Sequence, residues 1–152
     1  GPWSDVDFER NDALRESHEI QRSPCRKLLR AKPGTQDRIS LFKALHTELA
    51  AHAAAEERFL YAPVLMHDAG LDSSRHALHE HHEMDEMMEA LDETEMSSPA
   101  WLAVAKKLSE KVHHHLEEEE QKFFQMAGKL LDDKQKETLA GAYVKEYKAQ
   151  LV

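Results

Sequence analysis

Along most of the chain, apolar residues recur at steps of three and four, the spacing that lines one face of an α-helix. Leu14, His18, Gln21, Cys25 and Leu28 form the first such stripe and predict a helix from about Asp5 to Ala31. Pro24 lies inside it. An interior proline lacks an N–H and crowds the preceding turn, so a kink or break is expected just before it. Pro33-Gly34 closes this helix. A second helix, about Gln36 to His67, carries Leu41, Leu45, Leu49, His52, Glu56 and Leu60 on one face, with Pro63 near its last turn. The loop from Asp68 to Ser74 should supply an Asp or Ser cap to a third helix, about Ser74 to Glu95, which turns Ala77, His81, Met84, Met88 and Leu91 inward. Ser98-Pro99 opens a fourth helix running to about Met126, with the stripe Trp101, Val104, Leu108, Val112, His115, Glu119 and Phe123. A shorter terminal helix, about Lys134 to Gln150, has Leu139, Ala142, Tyr143 and Tyr147 as its apolar side and should pack across one end. Short connections favour antiparallel neighbours, so the expected fold is all-α: an up-down-up-down four-helix bundle with a short additional C-terminal helix.

The stripes repeat. A constant step of 63 residues carries His18 to His81, His52 to His115 and Glu56 to Glu119, together with Leu45 to Leu108, Leu49 to Val112 and Leu60 to Phe123. The chain therefore reads as a duplicated helix pair. In each copy a histidine precedes a glutamate by four residues, so both side chains leave one helix face a turn apart, a geometry that suits a metal ion.

Composition agrees with helices: Gly and Pro number only 5 each in 152 residues. That length forms one domain, residues 3–152, with Gly1-Pro2 read as a protease-cleavage scar and excluded. The single Cys25 cannot form an internal disulfide and fits a reducing, cytoplasmic setting. A net charge of −9, with basic residues interspersed, argues against nucleic acid or an anionic membrane as partner, and no apolar run has the length of a membrane helix.

Eleven histidines are too many to act together, and helical phase separates them. Within His113-His114-His115 only His115 shares the stripe of Leu108, Val112 and Glu119, because its neighbours are turned away by roughly 200° and 100°. The same test selects His81 from His76, His79, His81 and His82, although His82 with Glu86 is a competing pair at ligand spacing. His46 and His67 have no counterpart across the repeat and are read as surface residues. His18, His52, Glu56, His81, His115 and Glu119 thus fall on core-facing stripes. Burying two carboxylates among four imidazoles costs several kcal/mol per unpaired ion, which two divalent cations would offset; a metal-free Glu–His network is the bland alternative.

These residues resemble the hemerythrin-like, or HHE cation-binding, domains: a lone histidine, H-x-x-x-E, a lone histidine and H-x-x-x-E on successive helices, followed by Glu57-Arg58-Phe59-Leu60-Tyr61-Ala62-Pro63 and by Glu120-Gln121-Lys122-Phe123-Phe124. The resemblance implies two non-haem iron ions, bridged by Glu56, Glu119 and an oxo or hydroxo group, with His18, His52, His81 and His115 as terminal ligands. Zinc or manganese is compatible with the same donors. Oxygen-carrying hemerythrins have a second histidine four residues after the helix 3 ligand, where this chain has Asp85, and a helix 4 carboxylate five residues after its histidine, which would be Glu120. Glu120 is out of phase with the stripe, so Glu119 is kept. The implied function is binding, sensing or reaction with a small oxidant such as dioxygen, peroxide or nitric oxide; the alternative is a module for iron or zinc buffering or sensing without redox turnover. Catalysis is left open, and a homodimer is allowed. A ferritin-like centre would need two Glu-x-x-His motifs, and only Glu110-x-x-His113 exists, off the core face.

Overall fold

The structure is a computed structural model that describes residues 12–151, with side-chain surroundings from His18 onward. The expected start of the first helix at Asp5, and the side chain of Leu14, lie outside the described residues. Helix α1 (Asp12–Arg30) runs unbroken through Pro24, so the expected break does not occur. The carbonyl that Pro24 cannot serve belongs to Ile20, whose side chain is exposed, and on that side of the helix water can take the bond. Gly34, with a φ of 74°, provides the left-handed turn into α2.

Helix α2 (Gln36–Glu56) starts at Thr35, whose side chain accepts from the Arg38 amide, and continues without interruption into a π-helical turn (Glu57–Tyr61) and a last α turn (Ala62–Leu65). A 3₁₀ turn (Asp68–Gly70) leads into α3 (Leu71–Glu93). This helix begins earlier than its Asp and Ser residues suggest, with Gly70 at its N-cap and no side-chain cap. Gly70 is required there because a Cβ would overlap the side chain and carbonyl of Val64. Helix α4 (Pro99–Glu118) is capped by Ser98, passes through a second π turn (Glu119–Phe123) and ends as an α-helix (Phe124–Leu130). Asp132 and Gln135 form a capping box that starts α5 (Asp133–Gln150).

Cross-contacts give the direction of each helix. His18 meets Glu119 while Cys25 meets Ser109, so α1 and α4 are antiparallel. His115 meets Glu80 while the Trp101 indole donates to the Leu91 carbonyl, so α3 and α4 are too. The result is the up-down-up-down bundle. Helix α5 does not cap its end: Tyr143 reaches His52 and Tyr147 reaches Glu48, so it lies antiparallel along α2. Its inward residues are Ala140 and Tyr143, with Leu139 and Tyr147 half-buried. Among the described residues no helix is long and apolar enough to cross a membrane.

The core is apolar at both ends and polar in the middle. One cluster gathers Leu28, Phe42, Leu45, Leu91, Trp101 and Leu108; the other gathers Leu60, Val64, Phe123, Phe124 and Tyr143. Between them lie buried His18, Gln21, His52, Glu56, His81, His115 and Glu119.

Candidate metal centre

Four helices build this polar layer. Helix α2 brings Glu56, α3 brings His81, and α4 with its π turn brings His115 and Glu119; the ligand-type atoms of these four buried residues lie within 4.8 Å of one another. His81 Nε2 is 3.1 Å from His115 Nε2, which is 3.1 Å from Glu119 Oε2. Glu119 is engaged from its other side as well, since His18 Nε2 stands 3.1 Å from Oε1. Glu56 turns Oε2 to the Tyr61 hydroxyl at 2.8 Å and Oε1 toward His52 Nδ1 at 3.8 Å. Each carboxylate therefore reaches from a half occupied by His81 and His115 to a half occupied by His18 or His52.

Three of the four imidazoles are oriented alike. Nδ1 of His18, His81 and His115 lies 2.8, 3.0 and 3.1 Å from Glu120, Glu57 and Glu80. An ionised carboxylate only accepts, so Nδ1 carries the proton in each contact and Nε2 is turned to the middle of the layer. Proteins hold metal-ligating histidines in this way. The 63-residue step relates two of these contacts, His18 with Glu120 and His81 with Glu57. His52 differs: its Nδ1 is 2.7 Å from the hydroxyl of Tyr143, supplied by α5.

The π turns explain two side chains that helical phase misplaces. At 100° per residue, Tyr61 points about 140° away from Glu56, and Glu120 about 100° away from Glu119. A π turn adds one residue to the turn and changes that phase. Tyr61, fully buried, thereby reaches Glu56 and Glu119, and its oxygen lies 3.3 and 3.4 Å from Nε2 of His81 and His115. Glu120 joins Glu119 in facing α1, where it also accepts from Arg22 at 3.0 Å. Pro63, unable to donate to the Phe59 carbonyl, is a sequence signal for the first π turn; the second has none.

Burial, followed by the charge of Glu119, raises the Glu56 carboxyl well above its usual range. Burial opposes ionisation of Glu119 too, but hydrogen bonds from Glu56, His115 and His18 outweigh it and hold Glu119 well below that range. Two buried carboxyls in contact with each other thus favour sharing one proton between them. Burial likewise opposes protonation of His115, yet its contacts with Glu119 and Glu80 win and raise it to about 9. Neither Glu56 nor Glu119 has a Lys or Arg partner among the described residues. Imidazole nitrogens and carboxylate oxygens are the donors of divalent first-row metals, so the residues present fit such ions.

The family model described as the hemerythrin HHE cation-binding domain matches residues 10–127. The chain belongs to this family. No curated protein and no solved structure matches it. As an HHE domain it binds cations, and the buried His/Glu layer lies within the matched segment.

Of the six residues that sequence singles out in this HHE domain, Glu56, His81, His115 and Glu119 form the compact group, His18 adjoins it through Glu119, and His52 stands off toward Tyr143. The competing pair His82–Glu86 is an exposed contact at 2.6 Å, pointing away from the layer. His114 is exposed beside Glu118, whereas His113 is half-buried, with Nδ1 2.7 Å from the Ser109 carbonyl, so the solvated face expected for both holds only for His114. Asp85 is exposed. Tyr61, Glu57, Glu80 and Tyr143 escape sequence reasoning, and Glu120, set aside on phase, is part of the surround.

Proposed function

We propose that this HHE domain is a non-haem di-iron protein that binds, senses or reacts with a small oxidant such as dioxygen, peroxide or nitric oxide. The observation that carries the reading is the shared orientation of His18, His81 and His115, each with Nδ1 on an outer carboxylate and Nε2 directed at the layer that holds Glu56 and Glu119. In this reading His81 and His115 hold one ion, His18 and His52 the other, and Glu56 and Glu119 are shared. An iron pair supplies electrons and open coordination positions for a small oxidant. A cavity of about 200 Å³, lined by His115 and Glu119 at its inner end and by His76, Glu118 and Lys122 further out, supports access for a small molecule.

The test is to load the protein with ferrous iron without oxygen and mix it with dioxygen, hydrogen peroxide or nitric oxide. The expected result is a change in near-ultraviolet and visible absorption and in iron oxidation state or ligation with at least one of them. A loaded protein that responds to none would support iron buffering instead.

A further inference from the structure

A second group of ligand-type side chains stands at the cavity mouth. His76 Nε2 is 3.4 Å from Glu80 Oε1 and 3.3 Å from Glu118 Oε2. Glu80 is only 2 % exposed, and its Oε2 has no hydrogen-bond partner; the ammonium of Lys111 stands 3.6 Å from it and is shared with Glu83 at 3.0 Å. A buried carboxylate oxygen whose nearest donor is a shared ammonium beyond hydrogen-bond distance is under-satisfied, and can serve an ion or water. Glu80 also connects this group to the centre, because its Oε1 receives Nδ1 of His115, whose Nε2 faces Glu119.

The other face of the duplicated centre is covered. There His52 meets Tyr143 and packs against the tilted ring of Tyr147, both from α5, which has no counterpart in the repeat. Of the two faces the duplication would make equivalent, the His115 face opens to the cavity.

We infer that His76, Glu80 and Glu118 form an outer site for a divalent first-row cation, through which ions pass to the buried centre. One imidazole with two carboxylates selects ions of the Fe²⁺, Mn²⁺ or Zn²⁺ type over soft monovalent ones. Glu118 accepts from His114 through the same Oε2, at 3.2 Å, while its Oε1 faces the ammonium of exposed Lys122 at 4.0 Å, a long contact that an incoming ion would replace. The loading role rests on the buried layer being the metal centre proposed above; the outer site itself does not.

Zn²⁺ titration against a chromophoric chelator tests the site, and stopped-flow uptake of Co²⁺ tests the loading role. His76→Ala/Glu118→Gln, at exposed and half-buried positions, should bind one ion per chain fewer than wild type and load Co²⁺ about tenfold more slowly. His82→Ala/Glu86→Gln, an exposed pair of the same type, should match wild type in both. Equal stoichiometry in wild type and His76→Ala/Glu118→Gln, or an equal loss in the His82 control, overturns the outer site; an unchanged Co²⁺ rate overturns its loading role. Failure of the buried centre has a different signature: His115→Ala would then retain the wild-type ion count.

Discussion

Replacing Tyr61 with Phe separates the charge balance of the buried layer from its packing. The phenol fills its place in full, but its hydroxyl touches Glu56 Oε2 at 2.8 Å and Glu119 on the other side. In metal-stripped protein this hydroxyl gives its single proton to Glu119, the more readily ionised of a carboxyl pair that has no Lys or Arg partner among the described residues. A hydrogen bond to a charged group contributes roughly 1.5–3 kcal/mol. In a chain of this length each kcal/mol moves Tm by roughly 2–4 °C, so Tyr61→Phe should melt roughly 3–12 °C lower after chelation. In loaded protein the ions compensate the carboxylates, and the loss should fall below about 1 kcal/mol. Thermal unfolding of both proteins, with and without chelator, gives the comparison. Equal losses in the two forms would refute the idea that the hydroxyl and the ions serve the same carboxylates, and a larger loss in the loaded form would make the hydroxyl a metal ligand.

The outer carboxylates are expected to act on affinity: Glu57→Gln and Glu120→Gln should each weaken metal binding roughly 10–100-fold in a competition titration, and Glu120→Gln should also lower the metal-stripped Tm, because contacts with His18 and Arg22 overcome burial and hold the pKa of its carboxyl at about 2. Gly70→Ala should cost about 1–3 kcal/mol, read from denaturant midpoints, because Val64 must shift to admit a methyl group. For metal-stripped protein the pH dependence follows from His115, whose pKa is raised from 6.5 to about 9. Its stabilising contribution is complete below about pH 6.5 and is lost as pH rises through 9, a change of up to about 3 kcal/mol. Glu56, raised by burial and then by Glu119, acts in the same direction, so a chelated protein whose Tm stays level from pH 6.5 to 9.5 would contradict this assignment.

Helix number, order and inward faces are legible in the sequence because burial follows a 3.6-residue period along most of the chain. His18, His52, Glu56, His81, His115 and Glu119 are all buried for that reason. The period fails at the two π turns, where one added residue redirects Tyr61 and Glu120. Glu57 is hidden differently: it follows inward Glu56 by one position, and the long reach of a glutamate brings its carboxylate to His81. Glu80, three residues after Ala77 and four before Met84, lies on the inward face itself and is as buried as they are, beside the His81 that the stripe selects. The place of α5 could not be read from its stripe, since an apolar face says that a helix packs but not against what; Tyr143 on His52 supplies that answer. Pro24 does not break its helix because the penalty for an interior proline depends on whether water can reach the carbonyl it leaves unserved.

Iron content after anaerobic ferrous loading and removal of unbound metal tests the central claim most directly, measured on wild type, His115→Ala and His113→Gln/His114→Gln. The outer site is expected to release its ion on washing, so wild type should retain two irons per chain, the His113/His114 variant the same, and His115→Ala fewer. Less than one iron per wild-type chain, or equal content in all three proteins, would contradict a di-iron centre built on His115 and Glu119.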